Sequence, residues 1–231
     1  METKRFSRAI GIVGGAGPMA SSFLYNAIIE ICQKQYGAND YDDFPEIILE
    51  SYPFVRGDQE RIRQDISLCF SKLKNAGAEL FCVASNSFHG FLPEVSQIRF
   101  VNLIIESLEE ASRCKVSKAL ILGAQTTIDL RLYEQGRILC VYPSEEEQKY
   151  IQKIIREVAG GSILVHQAVK LRSIIKTFQE KSLVDGVIIA CTELPLIHRE
   201  FPLSESVDLQ ILDTVEVLAK RLLVLSQNKG H

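Results

Sequence analysis

The run Asp185-Gly186-Val187-Ile188-Ile189-Ala190 constrains the fold of this chain more than any other stretch. It is too short for a helix and rich in β-branched residues. This fits a strand buried on both faces of a parallel sheet. The run stops abruptly at Cys191-Thr192-Glu193-Leu194-Pro195, where a thiol is followed by a hydroxyl, a carboxylate and a proline. In open α/β sheets ligands bind at the carboxyl ends of the strands, because the following helix offers free N–H groups and its positive dipole end. Such a place can draw a thiol pKa down from about 8.5 towards neutrality. Cys191 is therefore read as an active-site base, against the alternative of an inert buried cysteine.

A second segment has the same grammar. Ala78-Glu79-Leu80-Phe81-Cys82-Val83-Ala84 is an apolar strand that breaks into Ser85-Asn86-Ser87-Phe88-His89, which places Ser85 at a strand end in an earlier half of the chain. Upstream, residues 8–13 read as the first strand and Gly14-Gly15-Ala16-Gly17-Pro18 as a tight turn, with Pro18 suited to the first turn of a helix over 19–36. Gly15-x-Gly17-x-x-Ala20 formally fits a dinucleotide fingerprint, with Glu50 as the acidic residue for a ribose. Glu50 lies farther along than the usual roughly 20 residues, so a nicotinamide-dependent enzyme is only a rival reading.

The remaining elements alternate. Residues 45–50 read as a strand, 58–74 as a helix, and the stretch near 90–97 as another helix. Residues 118–123 and 137–141 read as strands, and Ser144-x-x-Glu147 is a capping box opening a helix to about 158. Ser162 is expected to cap a helix running to 181, with a short strand at 207–209 and a final helix from 213.

The two strand-end segments resemble the signatures of the aspartate/glutamate racemase superfamily. In that family the first reads Pro-Cys-Asn-Thr-Ala-His and the second Gly-Cys-Thr-Glu-hydrophobic-Pro. Ala190-Cys191-Thr192-Glu193-Leu194-Pro195 follows the second almost letter for letter, whereas Ala84-Ser85-Asn86-Ser87-Phe88-His89 follows the first with serine at the place of the first catalytic cysteine. Asp213-Thr214-Val215-Glu216-Val217-Leu218-Ala219 resembles the family's closing helix, expected to pack back on the first domain.

The resemblance implies two pseudo-symmetric Rossmann-like three-layer α/β domains with parallel sheets and an active-site cleft between them, one from 1–101 with 208–231 and the other from 102–207. It implies a cofactor-independent amino-acid racemase working by 1,1-proton transfer. Cys191 is then the main base, on the side of the L enantiomer, and Ser85 stands on the opposite face as a weaker proton donor and acceptor. Asn86, Ser87 and Thr192 match positions that bind the substrate α-carboxylate. Arg56 is the nearest candidate for the arginine that pairs with a substrate carboxylate. Gly15 belongs to the turn that shapes one pocket wall, and Thr126 stands where the family commonly has threonine. Glu193 and His89 would tune the bases; for His89 a bond to the helix-start backbone is the alternative.

A further departure touches the substrate. Val158 stands at the place of a lysine that meets a side-chain carboxylate in aspartate racemases, and Lys170 or His166 would have to compensate. A one-cysteine lyase or isomerase on a small carboxylic acid and a non-catalytic carboxylate-binding homologue remain alternatives.

Composition narrows the classes. At 231 residues, 46% hydrophobic and 24% charged, the chain is an ordinary globular protein, and a net charge of −3 gives no basic surface for nucleic acid. No apolar run reaches the roughly 18 residues of a membrane span, and the N-terminus lacks a signal peptide's apolar core, so the cytoplasm is expected. Cysteines 32, 69, 82, 114, 140 and 191 show no Cys-x-x-Cys spacing, which disfavours a zinc site or a dithiol pair. The expected partner is a small amino acid or dicarboxylic acid, with no metal or cofactor. Family members commonly dimerise, so a homodimer is expected.

Overall fold

The computed structural model describes residues 5–55 and 57–227. The chain divides into two units, Met1–Leu103 with Val215–His231 and Ile104–Thr214.

The first unit is built on a parallel sheet ordered β2-β1-β3, formed by β1 (Ile10–Gly14), β2 (Ile47–Ser51) and β3 (Leu80–Val83). Every residue of β1 and β3 is buried, as expected of strands covered on both sides. Alternation sends Val13, Phe81 and Val83 towards α2 (Gln59–Asn75), whose Ile62, Ile66, Cys69, Phe70 and Leu73 recur at helical spacing. The helix α1 (Pro18–Tyr36) covers the other face, where Gly14 leaves room for Ser21. Pro18 opens α1, and Gly37 closes it at φ 68°, a left-handed cap that glycine adopts without strain. The last helix of the chain, α8 (Thr214–Ser226), is tied to the N-terminal segment: Arg8 Nη1 donates to the Leu225 carbonyl at 2.6 Å, and Phe6 bridges Gln227.

The second unit carries β4 (Lys118–Gly123), β5 (Leu139–Val141), β6 (Gly186–Ala190) and β7 (Gln210–Asp213) in the parallel order β5-β4-β6-β7. Leu120, Leu122, Val187 and Ile189 pack against α5 (Glu145–Ala159) and α6 (Val165–Glu180) through Ile151, Ile155, Leu171 and Ile175. Each sheet therefore places its second strand, then its first, then its third, and the second sheet adds β7. This is the architecture of two α/β domains with parallel sheets expected from the sequence. No helix among the described residues is long and apolar enough to cross a membrane.

Several elements differ from the sequence expectation. The helix expected near 90–97 is absent: a single 3₁₀ turn, Ser87–Phe91, ends at Leu92, which is extended at φ −61° and ψ 139°. Pro93 disfavours the helical region for the residue before it. The helix α3 (Leu103–Arg113), not anticipated, follows instead. Ser162 does not cap α6. Gln167 performs that role by accepting from the Leu164 N–H at 2.9 Å and donating to the Ser162 carbonyl at 3.2 Å. The Ser144–Glu147 capping box is present as expected. The short strand expected at 207–209 lies at 210–213 and is bonded to β6, within the unit that runs to Thr214.

Gly186 starts β6 where a Cβ would lie 2.7 Å from Val116 Cγ2 and 2.8 Å from Cγ1, both on a buried side chain. A Gly186→Ala variant is expected to lose about 1–3 kcal/mol from overpacking, read as a lower urea midpoint with an unchanged slope.

Candidate active site

The sequence-predicted residues fall into two groups, one in each unit, and both lie at carboxyl strand ends.

In the first unit the rim is made by the segments after β1, β2 and β3. Gly15 adopts φ +100°, and a side chain there would strike the Tyr52 backbone, so the turn needs glycine. Its N–H donates to Ser21 Oγ at 3.0 Å, and Ser21 Oγ donates to the Gly17 carbonyl at 3.2 Å. Gly15 thus shapes the turn, and its own amide is engaged within the fold. Glu50, which a dinucleotide reading would need for a ribose, is paired with Lys72 at 2.6 Å. Tyr52 is held by its N–H to the Gly14 carbonyl at 3.1 Å and by its hydroxyl to Asp65 Oδ1 at 2.9 Å. Arg56 lies outside the described residues.

Past β3, the Ala84 N–H donates to the Val13 carbonyl at 2.9 Å, which carries the chain to a buried Ser85 and Asn86 and a half-buried Ser87. His89 secures this segment. Its Nε2 accepts from the Leu103 N–H at 3.3 Å, which leaves the proton on Nδ1, and Nδ1 donates to the Ser85 carbonyl at 2.8 Å. Burial pushes the ring pKa down to about 4, against bonds to the Ser85 and Asn86 backbone that act the other way. The expected role of His89 as a proton partner near neutral pH is therefore corrected: both ring nitrogens are bonded to backbone, and the ring stays neutral.

In the second unit β6 delivers Cys191, 3% exposed, and Thr192, 6% exposed. The Cys191 thiol donates to Glu193 Oε2 at 3.0 Å, and the Thr192 hydroxyl donates to the same oxygen at 3.3 Å. Burial first, and then the Glu193 carboxylate, raise the Cys191 pKa well above its ordinary value; the N–H groups of Glu193 and Leu194 oppose this without prevailing. The expectation of a thiol lowered towards neutrality is reversed. The helix that follows, α7 (Leu194–Glu200), is only seven residues long, and its start does not outweigh burial beside a carboxylate. The resting sulfur is a neutral thiol bonded to a built-in proton acceptor.

Thr126 is exposed on a short helix, α4 (Gln125–Asp129), where the sequence suggested only a turn. Its neighbour Thr127 is the buried one, with its Cβ side against Gly123 and an Oγ1 that has no hydrogen-bond partner. Gln148, also missed from the sequence, donates through Nε2 to the Gly123 carbonyl at 3.0 Å, while its Oε1 is buried without a partner. Its signal was available: a polar residue occupying the buried register of α5 with Ile151 and Ile155 just after a strand end. Lys170, offered as a compensating cation, sits over the Tyr150 ring at 4.6 Å, and His166 is exposed. Val158 is buried in the core of its unit.

A family model described as Asp/Glu/Hydantoin racemase matches residues 13–222. The broad specificity amino-acid racemase RacX of Bacillus subtilis (strain 168) is 24% identical over 212 residues, 85% of this chain and 92% of the relative. Among solved structures, an aspartate racemase homologue from Pyrococcus horikoshii OT3 superposes with a TM-score of 0.81 at 28% identity, covering 95% of this chain and 99% of that one. The aspartate racemase of Picrophilus torridus shares the fold at a TM-score of 0.76 and 19% identity, with 95% and 94% covered.

Protonation of His89 links the first rim to stability. The unfolded ring binds a proton below about pH 6.5, while the folded ring resists until about pH 4. Its contribution is complete above about pH 6.5 and falls by up to about 1.4 kcal/mol per pH unit on the way down to about 4. Urea midpoints measured from pH 7 to pH 4.5 are expected to drop accordingly, and a His89→Asn variant to show a shallower decline.

Proposed function

The chain belongs to the Asp/Glu/hydantoin racemase family, and on that premise we propose that it is a cofactor-independent amino-acid racemase of the aspartate/glutamate type. The observation that carries the reading is the Cys191–Glu193 hydrogen bond at 3.0 Å, at the end of a wholly buried strand. The name of the Bacillus subtilis relative, a broad specificity amino-acid racemase, supports amino acids as the substrate class without fixing the side chain.

In the proposed reaction Cys191 passes its proton to Glu193 and, as thiolate, removes the α-proton of the L enantiomer. A thiol reformed in this way carries the α-proton and can return it to the same face. Delivery of a proton to the opposite face falls to Ser85, whose hydroxyl is a weak acid and a still weaker base at neutral pH. The high thiol pKa sets a cost on the first step, and a local carboxylate acceptor shortens the path the proton travels. Asn86, Ser87, Thr192 and Arg56 are assigned to the substrate carboxylate, where prearranged donors stabilise the carbanion-like state. Gly15 is assigned to the pocket wall. Thr127 is preferred to Thr126 as the hydroxyl of the second rim, because it is buried with an unspent oxygen.

Two variants test this. Cys191→Ala is expected to reduce α-proton exchange in heavy water by at least about a thousandfold, and a retained rate would set the reading aside. Ser85→Cys, in a folded protein, is expected to raise the rate of chirality loss about tenfold or more, because a thiol ionises far more readily than a hydroxyl. An unchanged rate would remove Ser85 from the reaction.

A further inference from the structure

The two rims differ in the side chain they are equipped to receive. In the first unit, Phe88 stands within the 85–89 segment where the resembled signature has alanine. Its ring meets Phe54 edge-on with centroids 4.7 Å apart, and Phe54 meets Tyr52 at 5.0 Å. All three are half-buried: they pack on the core of the first unit and keep part of their area open to solvent, and Phe88 follows Ser87 directly in the chain. The surface is held in place: the Phe54 N–H donates to the Tyr52 carbonyl at 3.0 Å, and Tyr52 is bonded to Gly14 and Asp65.

In the second unit, Thr127, Tyr142, Gln148, Cys191, Thr192 and Glu193 stand at the carboxyl ends of β4, β5 and β6. Among these six the only charge is the carboxylate of Glu193, already bonded to the thiol and hydroxyl beside it, and the Arg131 guanidinium that stands over the Tyr142 ring at 5.9 Å is paired with Glu134 at 2.9 Å. A second substrate carboxylate brought to this rim would lose hydration beside a like charge. An apolar side chain laid on the aromatic surface of the other rim gains from removal of area from water.

We propose that the substrate is an amino acid with an uncharged, apolar side chain, and that Phe88 and Phe54 form the platform that selects it. This rests on the racemase reading and deepens it. The platform acts through binding of the side chain, so its signature is a preference between substrates carried mainly in KM.

The test is α-proton exchange in heavy water, followed by proton NMR on the full chain with L-phenylalanine, L-leucine, L-methionine, L-aspartate, L-glutamate and L-lysine in turn. The apolar three are expected to exchange at least about tenfold faster than the others, the discrimination a hydrophobic pocket supplies. Equal or faster exchange with aspartate, glutamate or lysine overturns the proposal and leaves the racemase reading standing; no exchange with any of the six overturns both. Phe88→Ala is expected to lower the apolar-over-acidic ratio about tenfold, and Phe88→Leu to retain most of it. A ratio unchanged in a Phe88→Ala protein of native circular dichroism removes Phe88 from the platform, and the wild-type panel decides the substrate class whatever that variant does.

Discussion

Every residue of β6 is buried, so the strand has to run inside a parallel sheet, and its carboxyl end is reached only at Cys191, Thr192 and Glu193. That constraint fixes the sulfur's position and also its character. Delivered from a strand covered on both faces, Cys191 shares the apolar core of its unit with Leu122, Ile189 and Leu194. Burial makes the thiolate costly, and the carboxylate two residues on supplies an acceptor without supplying a counter-charge. The site therefore rests in the thiol form, and the sulfur becomes a base only once its proton has passed to an acceptor such as Glu193.

The first rim depends on a comparable device. The neutral His89 ring joins the Ser85 carbonyl to the Leu103 N–H, so a residue whose pKa is depressed by burial holds a serine in place through the backbone. Gly15 does the same for Tyr52 by lacking a side chain. Each of the two residues spends its bonding capacity on the loop it belongs to.

The strands and the long amphipathic helices were legible in the sequence because period and burial leave few choices: β4 spans the residues expected of it, and the capping box of α5 is where Ser144 and Glu147 put it. The Cys191 segment was equally plain, since a buried strand followed by a thiol, a hydroxyl and a carboxylate has one accessible end. What local pattern could not carry were the outcomes of competition. The helix start was expected to lower the Cys191 pKa, and burial with Glu193 outweighed it. His89 offered a titrating ring by type, but its state depends on Leu103, a partner distant in sequence. Pro93 disfavours the helical region for Leu92, and this local restriction prevails over the helical pattern near 90–97. Gln148 shows in the sequence only as a polar residue in the buried register of α5; its unspent Oε1, like the unspent Oγ1 of Thr127, is revealed by packing.

The proposed racemase chemistry is lopsided: a thiol–carboxylate pair is assigned to one face of the substrate carbon and a hydroxyl to the other. The most direct measurement is the ratio of deuterium incorporation to inversion, read by chiral separation and mass on the same samples, starting from each enantiomer of a substrate that turns over. The L enantiomer is expected to gain deuterium with retained configuration at least about tenfold faster than it inverts, while in the D enantiomer incorporation keeps pace with inversion. Incorporation and inversion proceeding at equal rates from both enantiomers would rule out this asymmetry, because two equivalent bases would then be at work.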